Sequence, residues 1–424
     1  MEDQFRHVVM VIYDGVENSV FESQVVAPLL VELADDLALE VTLISFERAL
    51  PSAAVLCKKI PAHDRLHLVL ARRLPFFGTV SLWPALWQLI KILKLTGATQ
   101  LRARGPLAGW LVLRVVERSV PYNGFFSKLV GEFIAACTSR YISLRETLET
   151  DGKWLFKLRS LRVFCSQNKT YPEVRTRYFR KKPVAKDIPP VLVQARGLGA
   201  EEYRYAAHRG GRRGLRRLKD WLTQKFLHEL EASVYGYRGV IARCGQFTIE
   251  AVSEALQEHL VKVFKAKQAV ITIATKDITP MVAREQVEAW RLAKRSELCI
   301  PIDARVYVYS GSFKPWQCAQ ETVAEAATIL HRESDAFFLA LTTDVADFEQ
   351  AVQASGIDAV RCRVLRVASA ELTQYLAAAD AGFLLREADV INWVSRPTKM
   401  LEYQAVELEI VHNNTVGCLA RAKP

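Results

Sequence analysis

Two side chains near the carboxyl end carry the most chemical promise. Lys399 and Glu402 sit one helical turn apart in Pro397-Thr398-Lys399-Met400-Leu401-Glu402-Tyr403. Pro397 suits the first turn of a helix, where its missing N–H costs nothing. A helix beginning there offers unpaired backbone N–H groups to an anion, and Lys399 adds a point charge beside them. Glu402 can accept two hydroxyls of a ribose or hexose. Upstream, Gly311 and Ser312 close an apolar run, and Lys314 follows. A turn of backbone N–H groups with a nearby lysine is also an anion cradle. By residue type alone, an ordinary strand-to-helix turn with a solvated lysine explains the first segment equally well.

The flanking pattern says what must position these groups. Ala381 to Leu385 is a short apolar strand, and a polar loop holds Asn392, Ser395, Arg396, Pro397, Thr398 and Lys399. A helix starts near Met400, and Ile410 to Gly417 reads as a strand running into a turn. Before this block come strands at 305–309, 337–341 and 360–367, separated by helices from about Trp316, at 348–354 and at 371–379. Such alternation predicts a parallel α/β domain with its ligand at the carboxyl edge of the sheet. The amino-terminal half opens the same way. Val8 to Tyr13 is continuously apolar, as in a parallel strand covered on both faces. Val25, Leu29, Leu33 and Leu37 form a helix face, and Glu40 to Phe46 is the next strand. Further strands are expected at 66–71, 99–103 and 191–193, with a turn at Gly105-Pro106, a helix after Gly109 to about Val116 and another over 219–235. No GxGxxG is present, so a Rossmann dinucleotide fingerprint is absent. Leu82, Leu86, Leu89, Ile90 and Leu93 give a helical face, with Trp83 and Trp87 one turn apart as either core or membrane-surface residues.

Composition narrows the class. The chain has 424 residues and is 50% apolar, which suits two domains of about 200 residues each. No apolar run is long enough to span a membrane, and the acidic start moves straight into a strand, unlike a signal peptide. Eight scattered cysteines without a CxxC pair fit a reduced compartment, and eight histidines form no metal-ligand cluster. The net charge is +11 and unevenly spread. Between Gly152 and Lys186 eleven lysines and arginines stand against one acid, Glu173, and a second basic run lies over 208–219. Such segments attract polyanions, including anionic lipid headgroups.

The block from Ala379 to Gly417 resembles the donor site of retaining GT-B glycosyltransferases of family 4, especially the bacterial branch making surface polysaccharides. Arg386, Glu387, Asn392, Pro397, Lys399, Glu402, Tyr403, Asn413, Val416 and Gly417 carry the match. Gly15, Ser23 and Gln24 are similar to the family's opening, and Ala103-Arg104-Gly105-Pro106-Leu107-Ala108-Gly109 to its A-R-G-P-x-A-G. Arg196, Gly197 and Glu202 match a D-x-R-G segment followed by an acid, with Gln194 at the aspartate position, and Glu201 and Glu202 are candidates to anchor Arg196. Val240 to Ala242 resembles the last strand of the first domain. Ser253 is expected to cap the next helix, and 270–274 to enter the second domain as a strand, after a hinge between about 258 and 270.

The resemblance implies two Rossmann-like parallel-sheet α/β domains facing across a cleft, the GT-B arrangement. The first would span 1–260, on the acceptor side, with a basic insertion near 118–190 that holds a short helix over 127–137. The second would span 261–424 and bind the nucleotide sugar. The chain stops at Pro424, short of the strand and helices that follow in the resembled enzymes, so a shortened second domain is expected. Implied catalytic residues are Lys399, Lys314 and Arg196. Implied donor contacts are Gly311, Ser312, Asn392, Pro397, Thr398, Glu402, Gly15 and Arg104. The reaction implied is metal-free, retaining transfer from a nucleotide sugar, UDP- or GDP-linked, to a glycan or lipid-linked glycan. Its implied setting is the cytoplasm, peripheral at an anionic membrane surface, with nucleic acid not expected as a partner. The alternatives are a weak or inactive glycosyltransferase-like binding or scaffold protein and a polyanion-binding protein.

Overall fold

A computed structural model describes residues 6–18, 21–73, 82–96, 98–119, 188–209, 215–275, 281–313, 317–368 and 370–421. The basic segment 153–186, the helix expected over 127–137, and Lys314 lie outside these residues. Contacts divide the chain into two units: Met1–Ala251 with His259–Ile273, and Val252–Glu258 with Ala274–Pro424.

The first unit is built on a seven-stranded, wholly parallel sheet. Its strands are β1 (Arg6–Ile12), β2 (Leu39–Glu47), β3 (Leu66–Arg72), β4 (Gln100–Arg104), β5 (Val191–Ala195), β6 (Phe247–Ala251) and β7 (Ile271–Ile273), in the order β3-β2-β1-β4-β5-β6-β7. The strand expected to open the second domain is therefore the edge strand of the first sheet, paired with β6. Val240–Arg243, read from sequence as a strand, is one helical turn, and β6 follows it. That segment is too short to show a period, and only pairing separates the two readings. After β1 a π-helical turn at Glu22–Val26 runs into the helix Ala27–Asp35. Val25, Leu29 and Leu33 are buried against the sheet, but Leu37 lies past the helix end and is 83% exposed. In the helix Leu82–Thr96, Leu82, Leu86, Leu89 and Leu93 are buried and Ile90 is half-buried. Trp87 is exposed, so it is not a core residue.

The second unit holds a five-stranded parallel sheet of β8 (Arg305–Ser310), β9 (Ala336–Leu341), β10 (Cys362–Leu365), β11 (Ala381–Leu384) and β12 (Glu409–His412), ordered β10-β9-β8-β11-β12. Both faces are covered. Val306, Val308, Phe337 and Leu339 point to one apolar cluster, and Tyr307, Tyr309, Phe338 and Phe383 to the other. That is why these strands read as unbroken apolar runs. Ser253 caps the helix Glu254–Phe264 as expected: its Oγ accepts from the Leu256 N–H at 3.0 Å and donates to the Val394 carbonyl at 2.6 Å. Asp380, at the amino end of β11, accepts from the Val306 N–H at 2.7 Å and pairs with Arg291 and Arg295. Among the described residues no helix is long and apolar enough to cross a membrane.

In each sheet the strand order reverses once. The reversal lies between β1 and β4 in the first and between β8 and β11 in the second. Parallel α/β sheets bind ligands at the carboxyl ends flanking such a point.

Candidate functional site

The second unit's reversal point gathers the Lys399 group. β8 ends at Ser310, and the next residue, Gly311, has φ +145°, a conformation open to glycine. A Cβ at Gly311 would collide with the Lys399 amine and sit 2.6 Å from Gln317 Oε1. The lysine head therefore lies against the bare backbone at the end of β8. It donates to Gln317 Oε1 at 2.9 Å and stands 4.0 Å above the Tyr309 ring. Tyr309 Oη in turn bonds the Ser312 carbonyl at 2.8 Å and contacts Gln317 Oε1 at 3.1 Å. Asp344 holds the following loop by accepting from the Phe313 N–H at 2.7 Å.

Lys399 and Glu402 lie on the helix Thr398–Ala405, which starts two residues earlier than sequence suggests and has Pro397 as its N-cap. Tyr403 pins this helix to the sheet. Its ring lies against Gly382, and its fully buried hydroxyl accepts from the Ser310 N–H at 3.1 Å and donates to the Phe383 carbonyl at 3.2 Å. Burial, reinforced by Arg386, drives the Lys399 ammonium well below the usual lysine range, while Glu402 opposes that shift. Burial likewise raises the Glu402 carboxyl, with Lys399 acting against it. The result is a desolvated amine and a desolvated carboxyl within electrostatic reach of each other.

Other residues of the motif serve architecture. The loop expected before Pro397 contains a helical turn, Val390–Val394, capped by Asp389. Asn392 Nδ2 donates to the Glu387 carbonyl at 2.9 Å. Asn413 clasps Arg386 by its backbone, accepting from its N–H and donating to its carbonyl at 2.7 Å. Gly417 opens a short helix, Gly417–Arg421, and a Cβ there would meet the Trp393 carbonyl at 2.7 Å. Gly311 and Ser312 are half-buried beside Gln317, and Thr398 is half-buried at the helix start. The helix expected from Trp316 begins at Ala319.

The first unit's reversal point gathers Gly15 and Arg104. Gly15 has φ +84°, and a Cβ there would stand 2.6 Å from Glu47 Oε2. Glu47 is buried, accepting from the Val16 N–H at 2.9 Å and from the Ser45 hydroxyl. Arg104 is buried at the end of β4 and donates to the Gln24 carbonyl at 3.1 Å and to Gln24 Oε1. Burial depresses its guanidinium, with Asp14 and Glu250 opposing. Arg196 pairs with Glu250 at 3.4 Å, and Gln194 Nε2 donates to the same carboxylate at 2.9 Å. Glu201 pairs instead with Arg204. Glu250 reaches Arg196 because β5 and β6 are neighbours. Glu202 packs against Gly197.

Sequence reasoning missed Gln317, Asp344, Glu250 and Glu47. Each acts on a partner far away along the chain or across a turn, where spacing carries no signal. No cluster of metal-ligating side chains occurs among the described residues.

No family model matches the chain, and no curated protein matches it in sequence. Solved structures do match in fold. Sucrose-phosphate synthase from Thermosynechococcus elongatus superposes with a TM-score of 0.56 at 12% identity, over 99% of this chain and 84% of that one. The fold is that of the GT-B glycosyltransferases. WaaG, a glycosyltransferase of lipopolysaccharide biosynthesis, matches with a TM-score of 0.53 at 9% identity, over 98% of this chain and 83% of its own. Anabaena Alr3699/HepE, solved with UDP and glucose, gives 0.52 at 9% identity, over 98% and 83%. On the GT-B fold of this chain, Lys399, Gly311 and Glu402 stand where a parallel α/β sheet receives ligands.

Proposed function

We propose that this protein transfers a sugar, with retention, from a nucleotide-sugar donor to a glycan or lipid-linked glycan. The observation that carries the reading is the buried Lys399 amine held against Gly311 at the reversal point of the second sheet, with Glu402 one turn along its helix. A desolvated ammonium stabilises charge on a leaving diphosphate far better than a solvated one. Glu402 would take the ribose hydroxyls. Gly311, Ser312, Asn392, Pro397 and Thr398 would shape the donor pocket, and Lys314 would add a second positive charge. On the first unit Gly15, Arg104 and Arg196 would serve the acceptor and donor phosphates. A UDP- or GDP-linked donor fits this chemistry, and the neighbour solved with UDP and glucose supports UDP first. The same reading has the protein in the cytoplasm, peripheral at the membrane face where a lipid-linked acceptor is presented.

Calorimetric titration with UDP, GDP, ADP and CMP tests it. One nucleotide should bind selectively, and Lys399→Ala and Glu402→Ala should each abolish binding. A folded protein that binds none of the four refutes the proposal. A binding or scaffold protein without turnover is the second reading. It is favoured by the single Glu250 carboxylate that engages both Gln194 and Arg196. Nucleotide binding with no donor turnover would select it.

A further inference from the structure

The helix Leu215–Tyr235 of the first unit has two unlike faces. One packs inward, against the helices Gly199–Arg209 and Gly105–Ser119, and buries Leu230, Val234 and Tyr235. On that side Asp220, also buried, accepts from the Tyr203 hydroxyl at 2.8 Å. The other face exposes large apolar groups. Leu218 is 53% exposed, Trp221 55% and Leu222 53%. At spacings of three and four they share one stripe, which Lys225 continues with its amine 5.5 Å above the Trp221 ring. Arg217 and Lys219, next to Leu218, are exposed as well. The first exposed acid downstream is Glu229.

We infer that this stripe is a docking face for a bilayer carrying anionic lipids. Solvated leucines and a tryptophan are uncomfortable in water but suit the headgroup boundary, where tryptophan is favoured and lysine or arginine meets lipid phosphate. Charge complementarity selects the partner. The stretch 208–225 holds seven lysines and arginines against one acid, and that acid is Asp220 on the inward face. The chain's other basic run, 153–186, has the same sign, so it would repel this face rather than neutralise it. The inference deepens the peripheral reading above by naming the surface, and it does not depend on the nucleotide site.

Co-sedimentation with lipid vesicles tests it, alongside the nucleotide titration, so that either can fail alone. The full chain should bind vesicles containing phosphatidylglycerol, release them as salt rises, and ignore pure phosphatidylcholine. Replacing Leu218, Trp221 and Leu222 together by serine should weaken binding roughly a hundredfold. Lys225→Gln and Arg217→Gln should each weaken it about fivefold. Brominated lipid should quench wild-type tryptophan fluorescence, and Trp221→Phe should remove part of that quenching. This readout stands even if the triple variant folds poorly. Equal binding to neutral vesicles, or quenching unchanged in Trp221→Phe, overturns the inference. So does a dimer broken by the triple serine variant, or saturable RNA binding, where vesicles do not bind.

Discussion

Gly382→Ala should unseat the helix that carries Lys399 and Glu402. Gly382 lies mid-way along β11, and a Cβ there would stand 2.6 Å from two carbons of the Tyr403 ring and 2.9 Å from a third. Carbon atoms approach comfortably only to roughly 3.5 Å, so the overlap is close to an ångström. The ring cannot simply retreat. Its hydroxyl is fastened at the far end to the Ser310 N–H and the Phe383 carbonyl. Overpacking alone costs about 1–3 kcal/mol, and losing two buried hydrogen bonds adds about 1 kcal/mol each. A total of about 3–5 kcal/mol, at about 2–4 °C per kcal/mol for a unit of this size, lowers the melting temperature by roughly 10 °C. Thermal and urea melts of the full chain read this directly. Tyr403→Phe frees the ring to shift, so Gly382→Ala should cost less in that background than alone. Nucleotide binding should weaken too, because a displaced helix takes the Lys399 amine away from Tyr309 and Gly311. Wild-type melting for Gly382→Ala, or strict additivity with Tyr403→Phe, would refute the reasoning.

The pH dependence of the first unit should be dominated by Glu231. It is 1% exposed, contacts the Ala200 N–H at 3.4 Å, and is pushed up to about 8 by burial from an ordinary value of 4.5. The folded chain keeps a proton there that the unfolded chain has released, so stability falls as pH rises from about 4.5 to about 8 and then levels. Glu231→Gln should flatten that slope and be more stable than wild type above the window; urea midpoints across the range check it. Asp380→Ala should destabilise the second unit by about 3–5 kcal/mol, because Arg295, 3% exposed, loses its carboxylate while staying buried. Burial acts to raise Asp380, but the Val306 N–H, Arg291 and Arg295 outweigh it and hold the carboxyl below its ordinary 3.8. Its contribution should therefore persist at neutral pH and vanish only as pH falls through that lowered value, which an acid melt of Asp380→Asn against wild type would reveal.

Much of the architecture is legible in the chain because it rests on local period. Continuous apolar runs at 8–13, 40–46, 305–309 and 337–341 mark buried parallel strands, and each lies within or against an observed one. Leu29 and Leu33 locate a helix face, but Leu37 continues their spacing beyond the helix end, since spacing alone cannot see where backbone hydrogen bonds stop. Short elements mislead for the same reason: 240–242 is a helical turn, and Ile271–Ile273 joins the first sheet.

The candidate site divides along the same line. Sequence alone determined that glycine, lysine and glutamate types stand at Gly311, Lys399 and Glu402 with strand-turn-helix context, because those requirements are local. Only the tertiary structure decided that Gln317 and Tyr309 hold the Lys399 amine, that Tyr403 and Gly382 seat its helix, and that Glu250 receives Arg196. Those partners meet through parallel strand neighbours and close backbone approach. The sheet order that brings them together is set by long-range pairing and packing, which leave no period in the chain.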